Sequence, residues 1–240
     1  AENTLPDPYS DNAATIGQNT YPWRGRITCS PAADYAGTVD KTASAGAQVD
    51  AFMGKAQVAD LTVTGETVSW AGPTSDRGYR RMILHYAHLC VAAGGGDSFL
   101  LGSELRGLTT IRDGASTYPV VTAFRQLSAD VAGILGAGTT ISYAADWSEY
   151  FGHHPQDGSG DVFYHLDPIW SDPNIHFIGI DNYMPLSDWR DGFDHADAQA
   201  GWSSIRDLDY LRSNIEGGEG FDWFYASDAD RQSQIRTPIT

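Results

Sequence analysis

The chain has 240 residues, 41% of them hydrophobic and 12% aromatic, which is enough apolar surface for one sizeable core. Acids outnumber bases 31 to 15, giving a formal net charge of −16. A field of that sign repels phosphate backbones, so nucleic acid and anionic membrane surfaces are excluded as expected partners.

Taken in chain order, the first thirty residues are rich in Pro, Asn, Tyr and Gly and read as loop, with a short strand predicted at Arg26 to Cys29. Ala43 to Met53 is small and apolar enough for a modest helix. "VADLTVTGETVSWAG" alternates at period two around Thr64-Gly65-Glu66 and predicts a hairpin. From Tyr79 the period changes. Tyr79, Met82, Ile83, Tyr86 and Cys90 fall on one face of a predicted helix, which Gly94-Gly95-Gly96 stops. Phe99 to Leu101 then predicts a short buried strand. The next helix carries Pro119 in its first turn and Val120, Phe124, Leu127, Val131 and Ile134 on one stripe, and ends at Gly136 to Gly138. "TISYAADW" predicts another strand, Val162 to Trp170 a short helix, and "IHFIGIDNY" a third strand. Ser203 to Ile215 and Ser227 to Ile235 read as helical.

The repeating unit is helix, short apolar strand, polar loop. Strands of this kind, covered on both faces, belong to parallel α/β architectures. Each of the three best strands ends in polar residues: Ser103-Glu104, then Asp146-Trp147-Ser148-Glu149, then Asp181-Asn182-Tyr183. Parallel sheets place their chemistry at the C-terminal ends of their strands. Three consecutive strands obeying that rule favour a (β/α) barrel in a single domain over residues 1–240. No glycine-rich phosphate loop follows any strand, which counts against a nucleotide-binding unit.

Glu104 suits the general-acid role of glycoside hydrolysis, because partial burial at a strand mouth disfavours a carboxylate anion. The bland alternative is a strand-end glutamate that caps the following helix or pairs with Arg106. Asp146, Trp147 and Glu149 could form a sugar-stacking platform with hydrogen-bonding neighbours, or a core tryptophan with solvated acids. Asp181, Asn182 and Tyr183 could grip hydroxyls, or simply cap a helix. The histidines at 153, 154, 165 and 195 lack ligand spacing on a predicted helix, so neither a metal nor any other cofactor is expected. Ser103 lies in "GSELRG", which lacks a GxSxG elbow. Cys29 and Cys90 read as buried reduced thiols. No apolar run approaches the ~18 residues of a membrane span and no basic-then-apolar leader opens the chain, so neither membrane insertion nor a signal peptide is expected.

"FLLGSEL", "ISYAADW" and "FIGIDNYMPL" resemble successive barrel strands of clan-A glycoside hydrolases, especially the β-mannanase-like branch. A closer resemblance is to the TIM-barrel-like glycoside hydrolase domain of the very large host-specificity (megatron-type) tail protein of gene transfer agents and related tailed phages. It is carried by "NTLPDPY", "YPWRGRITCSPA", "YRRMILHYAHLC", "GSELRGLTTIR", "YAADWSEYFGHHPQDGSGD", "GIDNYMPLSDWRDG" and "QIRTPIT". The resemblance implies a (β/α)8 TIM-barrel-like fold, with the middle strands in this chain and flanking strands outside it. It implies Glu104 as general acid/base of a retaining mechanism, with its nucleophile beyond Thr240. Asp146, Trp147, Glu149, Asp181, Asn182, Tyr183 and Trp189 would bind substrate. Glu216 and Glu219, flanked by glycines in "IEGGEG", are poor substitutes for the missing nucleophile, so this chain taken alone is expected to be weakly active or inactive. The implied partners are bacterial envelope glycans, peptidoglycan or a surface polysaccharide, and other tail or baseplate proteins. The implied location is the tail of a phage-like particle assembled in the bacterial cytoplasm. The alternatives are an inactive glycan-binding module or a structural piece of the tail tip.

Overall fold

Three short apolar strands, each following a helix or loop that returns the chain to the same end of the sheet, pair in parallel and organise the larger part of the chain. The computed structural model describes residues 23–183, 185–215 and 221–239. Its elements are α1 (Ala43–Met53), β1 (Leu61–Thr64), β2 (Thr67–Trp70), α2 (Tyr79–Ala92), β3 (Ser98–Ser103), α3 (Arg106–Thr109), α4 (Pro119–Leu135), β4 (Thr140–Asp146), α5 (Asp167–Trp170), β5 (Gly179–Asp181), α6 (Ala196–Gln199), α7 (Leu208–Ser213), β6 (Trp223–Phe224), α8 (Asp228–Ser233) and β7 (Thr237–Pro238). They fall into two compact units, Ala1–Asp181 and Asn182–Thr240.

In the first unit β3, β4 and β5 form a parallel sheet in that order, and β1 and β2 form a separate antiparallel hairpin. The predicted hairpin is therefore present, with Gly65 at its tip in the left-handed region (φ 58°) that a side chain would resist. Every residue of β4 from Ile141 to Asp146 is buried. Ile141, Tyr143 and Ala145 lie on one face of that strand, and Ser142, Ala144 and Asp146 on the other. Helix α4 begins on Pro119, whose missing N–H costs nothing there, and ends at Gly136 with φ 72°. Its buried stripe contains the predicted Val120, Phe124, Leu127 and Val131. Phe124 stacks on Tyr79 at 5.8 Å and meets Tyr143 edge-on at 5.6 Å, joining α2, α4 and β4 in one core.

Several expectations are corrected. Only β4 is covered on both faces: Leu100 of β3 and Ile180 of β5 are exposed, because these strands flank the sheet. The stripe of α2 that enters the core is Ile83, Leu84, Ala87 and His88, while Met82 and Tyr86 are exposed; the helix is rolled by about one residue from the predicted face. No strand forms at Arg26 to Cys29. A 3-10 turn at Arg24–Arg26 instead lays its backbone on α3, where a Cβ on Gly107 would sit 2.7 Å from the Gly25 carbonyl oxygen. The helix predicted from Val162 shrinks to α5, since Phe163 exchanges backbone hydrogen bonds with His153 at 2.8 and 2.9 Å. The third strand shrinks to Gly179–Asp181: upstream of it, the His176 ring nitrogen and the Phe177 carbonyl accept from Ile141 N–H and the Ser142 hydroxyl. Cys29 is buried and Cys90 half-buried, both free. Among the described residues no closed barrel forms; the architecture is mixed α/β around a three-stranded parallel sheet.

The second unit is held by Arg236. Its guanidinium bridges Asp188 and Asp197 at 2.8 Å each and lies 4.3 Å over the Trp223 ring. Both predicted tail helices are shorter than expected. Asp207 caps α7 by accepting from Asp209 and Tyr210, which starts that helix at Leu208 and not at Ser203; Ser227 caps α8 by accepting from Asp230, so that helix starts as expected but ends at Ser233, short of Ile235. Thr237 and Pro238 pair with Phe224 and Trp223 in a small antiparallel two-stranded sheet that the sequence pattern does not reveal.

Arg112 and Asp40 form the most buried ion pair of the first unit, with guanidinium contacts of 2.6 and 3.2 Å and an Arg112 N–H bond to the same carboxylate. Breaking such a pair leaves an uncompensated charge in the interior. Arg112→Met is expected to lower unfolding stability by about 3–5 kcal/mol, measured as a shift of the urea midpoint at unchanged slope.

Candidate functional site

The site grows from the ends of the three parallel strands. The ladder between β3 and β4 slips between Leu100 and Ser103, so the chain leaves β3 through a local irregularity. Glu104 follows in the left-handed region, φ 52°, unusual for a residue with a side chain, yet its N–H still donates to the Ala144 carbonyl at 2.8 Å. The side chain of Glu104 is only 6% exposed. Its Oε2 accepts from the Trp23 indole N–H at 2.9 Å and lies 3.3 Å from the Arg24 guanidinium. Arg24 also donates to the Ser103 carbonyl and hydroxyl, at 2.5 and 2.7 Å. The Ser103 hydroxyl donates in turn to Asp181 at 2.5 Å. The ion-pair partner of Glu104 is thus Arg24 and not Arg106, and Glu104 caps no helix, since α3 has no side-chain cap.

At the end of β4, Asp146 is buried and faces Asp181 across the ladder as its Cα partner. Its Oδ1 accepts from the backbone and hydroxyl of Ser148. Trp147 stands at the rim, 43% exposed. Glu149 is 1% exposed. Its carboxyl accepts from Thr109 at 2.5 Å, from the Tyr143 hydroxyl at 3.0 Å and from Asp146 N–H at 3.0 Å. Burial pushes this carboxyl above the usual range, with the Thr109 and Asp146 bonds working against it. The strand ends therefore gather Glu104, Asp146, Trp147, Glu149 and Asp181. Asn182, Tyr183 and Trp189 belong to the second unit. There Asn182 and Tyr183 are exposed, and Trp189 packs edge-on against His195 at 4.4 Å and Tyr210 at 5.7 Å. Glu216 and Glu219 lie outside the described residues.

Two cavities adjoin these groups. A cleft of about 900 Å³ is bounded by Arg24, Phe52, Tyr79, Met82, Ser103 and Leu105, with Phe52 and Tyr79 stacked at 5.5 Å. A smaller one of about 240 Å³ is lined by Arg106, Glu149, Phe151, His153, His154 and His165. His153 meets the Tyr118 hydroxyl at 2.9 Å, and His165 lies 3.3 Å from Thr109. Among the described residues no three His, Cys, Asp or Glu side chains are arranged to hold a metal ion.

Sequence reasoning missed Trp23, Arg24, Thr109 and Tyr143. The first two sit in "YPWRG", some eighty positions from Glu104 (|i−j| = 81 for Trp23) with no periodicity to link them. Tyr143 reads as one more apolar residue of a buried strand.

The sequence model of the GTA TIM-barrel-like domain matches residues 77–240. The chain belongs to this family. No curated protein matches the sequence. The part that matches the GTA TIM-barrel-like domain starts just before α2 and takes in β3, β4 and β5 with Glu104, Asp146 and Asp181, as well as the whole second unit. Trp23 and Arg24, which cover Glu104, precede the matched span.

Burial depresses His153 and His165 from 6.5 to about 4, helped by Arg112 near the first and by His153 near the second. Both are neutral in the folded protein at pH 5–6, whereas the unfolded chain binds protons there. Stability is then fully present above pH 6.5 and falls as the pH drops towards 4. A depression of that size corresponds to about 3 kcal/mol for the buried His165. The melting temperature is expected to fall between pH 6.5 and 4.5, and His165→Gln should flatten that slope; an unchanged slope would remove the assignment.

Proposed function

We propose that this GTA TIM-barrel-like domain acts on a glycan of the bacterial envelope, as part of the tail of a phage-like gene transfer particle. The observation that carries the reading is the convergence of Glu104, Asp146 and Asp181 at one end of a parallel sheet beside the exposed ring of Trp147. Chemistry in parallel α/β folds collects at that end. Carboxylates beside an aromatic platform suit a pyranose, whose hydroxyls bond to the acids while its apolar face stacks on the ring. In this reading Glu104 is the general acid/base of a retaining hydrolysis, which needs a second carboxyl about 5–5.5 Å away as nucleophile. Asp146 and Asp181 bind hydroxyls, while Trp147 supplies a stacking surface. The partners are peptidoglycan or a surface polysaccharide on one side and other tail or baseplate proteins on the other.

A second reading, a module that binds the glycan without cleaving it, is favoured by the cover over Glu104. Trp23 and Arg24 both engage Oε2 of Glu104, so one oxygen of the carboxylate is already taken up by the protein's own donors. Glu104→Gln separates the two. Because this chain alone is expected to be weakly active or inactive, the comparison uses a longer form of the protein that continues past Thr240, in which reducing-sugar release and sedimentation with purified peptidoglycan and envelope polysaccharides are measured side by side. Hydrolysis is expected to drop by at least about 100-fold with cosedimentation unchanged. Cosedimentation without release in either protein selects the binding module, and absence of both leaves a structural role in the tail tip.

A further inference from the structure

We propose that Tyr143 and Glu149 are positioning residues for Glu104, acting through the backbone turn that presents it, and that Glu149 does not touch substrate. The proposal rests on Glu104 as the acting carboxylate and assigns a role to the buried groups behind it.

The pairing of β3 with β4 ends at Glu104, whose N–H is the last to reach a β4 carbonyl. The next N–H, that of Leu105, is buried and has no strand to donate to. An unpaired buried amide is costly, so a partner must come from elsewhere. The Tyr143 hydroxyl supplies it, accepting from Leu105 N–H at 2.8 Å. Since a phenol has one proton, Tyr143 then donates that proton to Glu149, whose two oxygens both lie 3.0 Å away. Burial and the adjacent Glu149 push the phenol well above its usual range, so it keeps that proton. Glu149 is fixed in turn by Asp146 N–H and by the Thr109 hydroxyl, and Thr109 N–H returns to the Leu105 carbonyl at 2.9 Å.

The result is a closed ring of hydrogen bonds: Leu105, Tyr143, Glu149, Thr109 and back to Leu105. It clasps the one-turn helix α3 directly after the left-handed Glu104. Strained backbone of that kind persists only where its surroundings over-determine it, and this ring does so. Tyr143 and Thr109 are fully buried, and Glu149, which borders the cavity of about 240 Å³, is 1% exposed with both carboxyl oxygens taken up by Thr109, Tyr143 and Asp146. Their effect on chemistry passes through the position of Glu104.

The Trp23 indole N–H, bonded to Glu104 at 2.9 Å, reports that position directly. Its hydrogen-exchange rate would be measured by NMR in wild type, Tyr143→Phe, Glu149→Gln and Ser128→Ala. Ser128, on α4 and away from the ring, is an equally buried hydroxyl that donates to the Arg125 carbonyl and to Asp172 beyond α5. Exchange at Trp23 is expected to rise about tenfold in Tyr143→Phe and Glu149→Gln, the scale of one lost hydrogen bond. It should stay at the wild-type rate in Ser128→Ala even where melting temperature falls. Unchanged exchange in the two ring variants, or an equal rise in Ser128→Ala, would overturn the proposal. If Tyr143→Phe gives no folded spectrum, Thr109→Val takes its place with the same expectation. The readout needs no turnover, so a failure of Glu104 as general acid, seen as unchanged hydrolysis in Glu104→Gln, stays separate from a failure of the clasp.

Discussion

The burial of β4 on both faces and the pairing of both its edges is the constraint on which the first unit depends. A strand so placed can offer its neighbours only backbone bonds and side-chain packing, and every polar group on it needs an internal partner. Tyr143 turns that requirement into order at the site. Its ring fills the core against Phe124 while its hydroxyl serves the turn after β3. Asp146, the last residue of β4, lies opposite Asp181, so the same ladder that stabilises the sheet sets two carboxylates on adjacent strand ends.

The acids and bases are distributed so that each well-placed arginine serves several acceptors. Arg24 reaches Ser103 and Glu104, Arg112 reaches Asp40 and Asp157, and Arg236 reaches Asp188 and Asp197. In a chain with twice as many acids as bases, planar five-donor guanidinium groups are the economical way to satisfy partly buried carboxylates. Arg24 differs from the other two in being half-exposed, which leaves the cover over Glu104 the most easily displaced of the three.

Elements with strong local patterns were legible in the sequence. The Pro119 start, the Gly136 stop and the stripe between them define α4, and the glycines after α2 end it where expected, Gly94 and Gly95 both having positive φ. The strand cores Phe99-Leu101 and Ile141-Asp146 were equally plain. Patterns failed where a partner distant in sequence decided the outcome. Arg26 to Cys29 has strand composition, but its backbone packs on α3. The stripe of α2 was misjudged because Met82 and Tyr86 look like core residues although the helix turns Ile83, Leu84, Ala87 and His88 inward.

By itself the sequence determined the alternation of helix and short apolar strand, the polar ends of those strands, and hence the set of carboxylates from which the candidate site is drawn. Only the tertiary structure decided what each carboxylate does there. Glu104 meets Trp23 and Arg24 across a long separation, while Glu149, three residues from Asp146, turns inward to Tyr143 and Thr109. The reason is physical: periodicity reports which face of an element is apolar, but hydrogen-bond partners are fixed by through-space packing that short-range pattern does not encode.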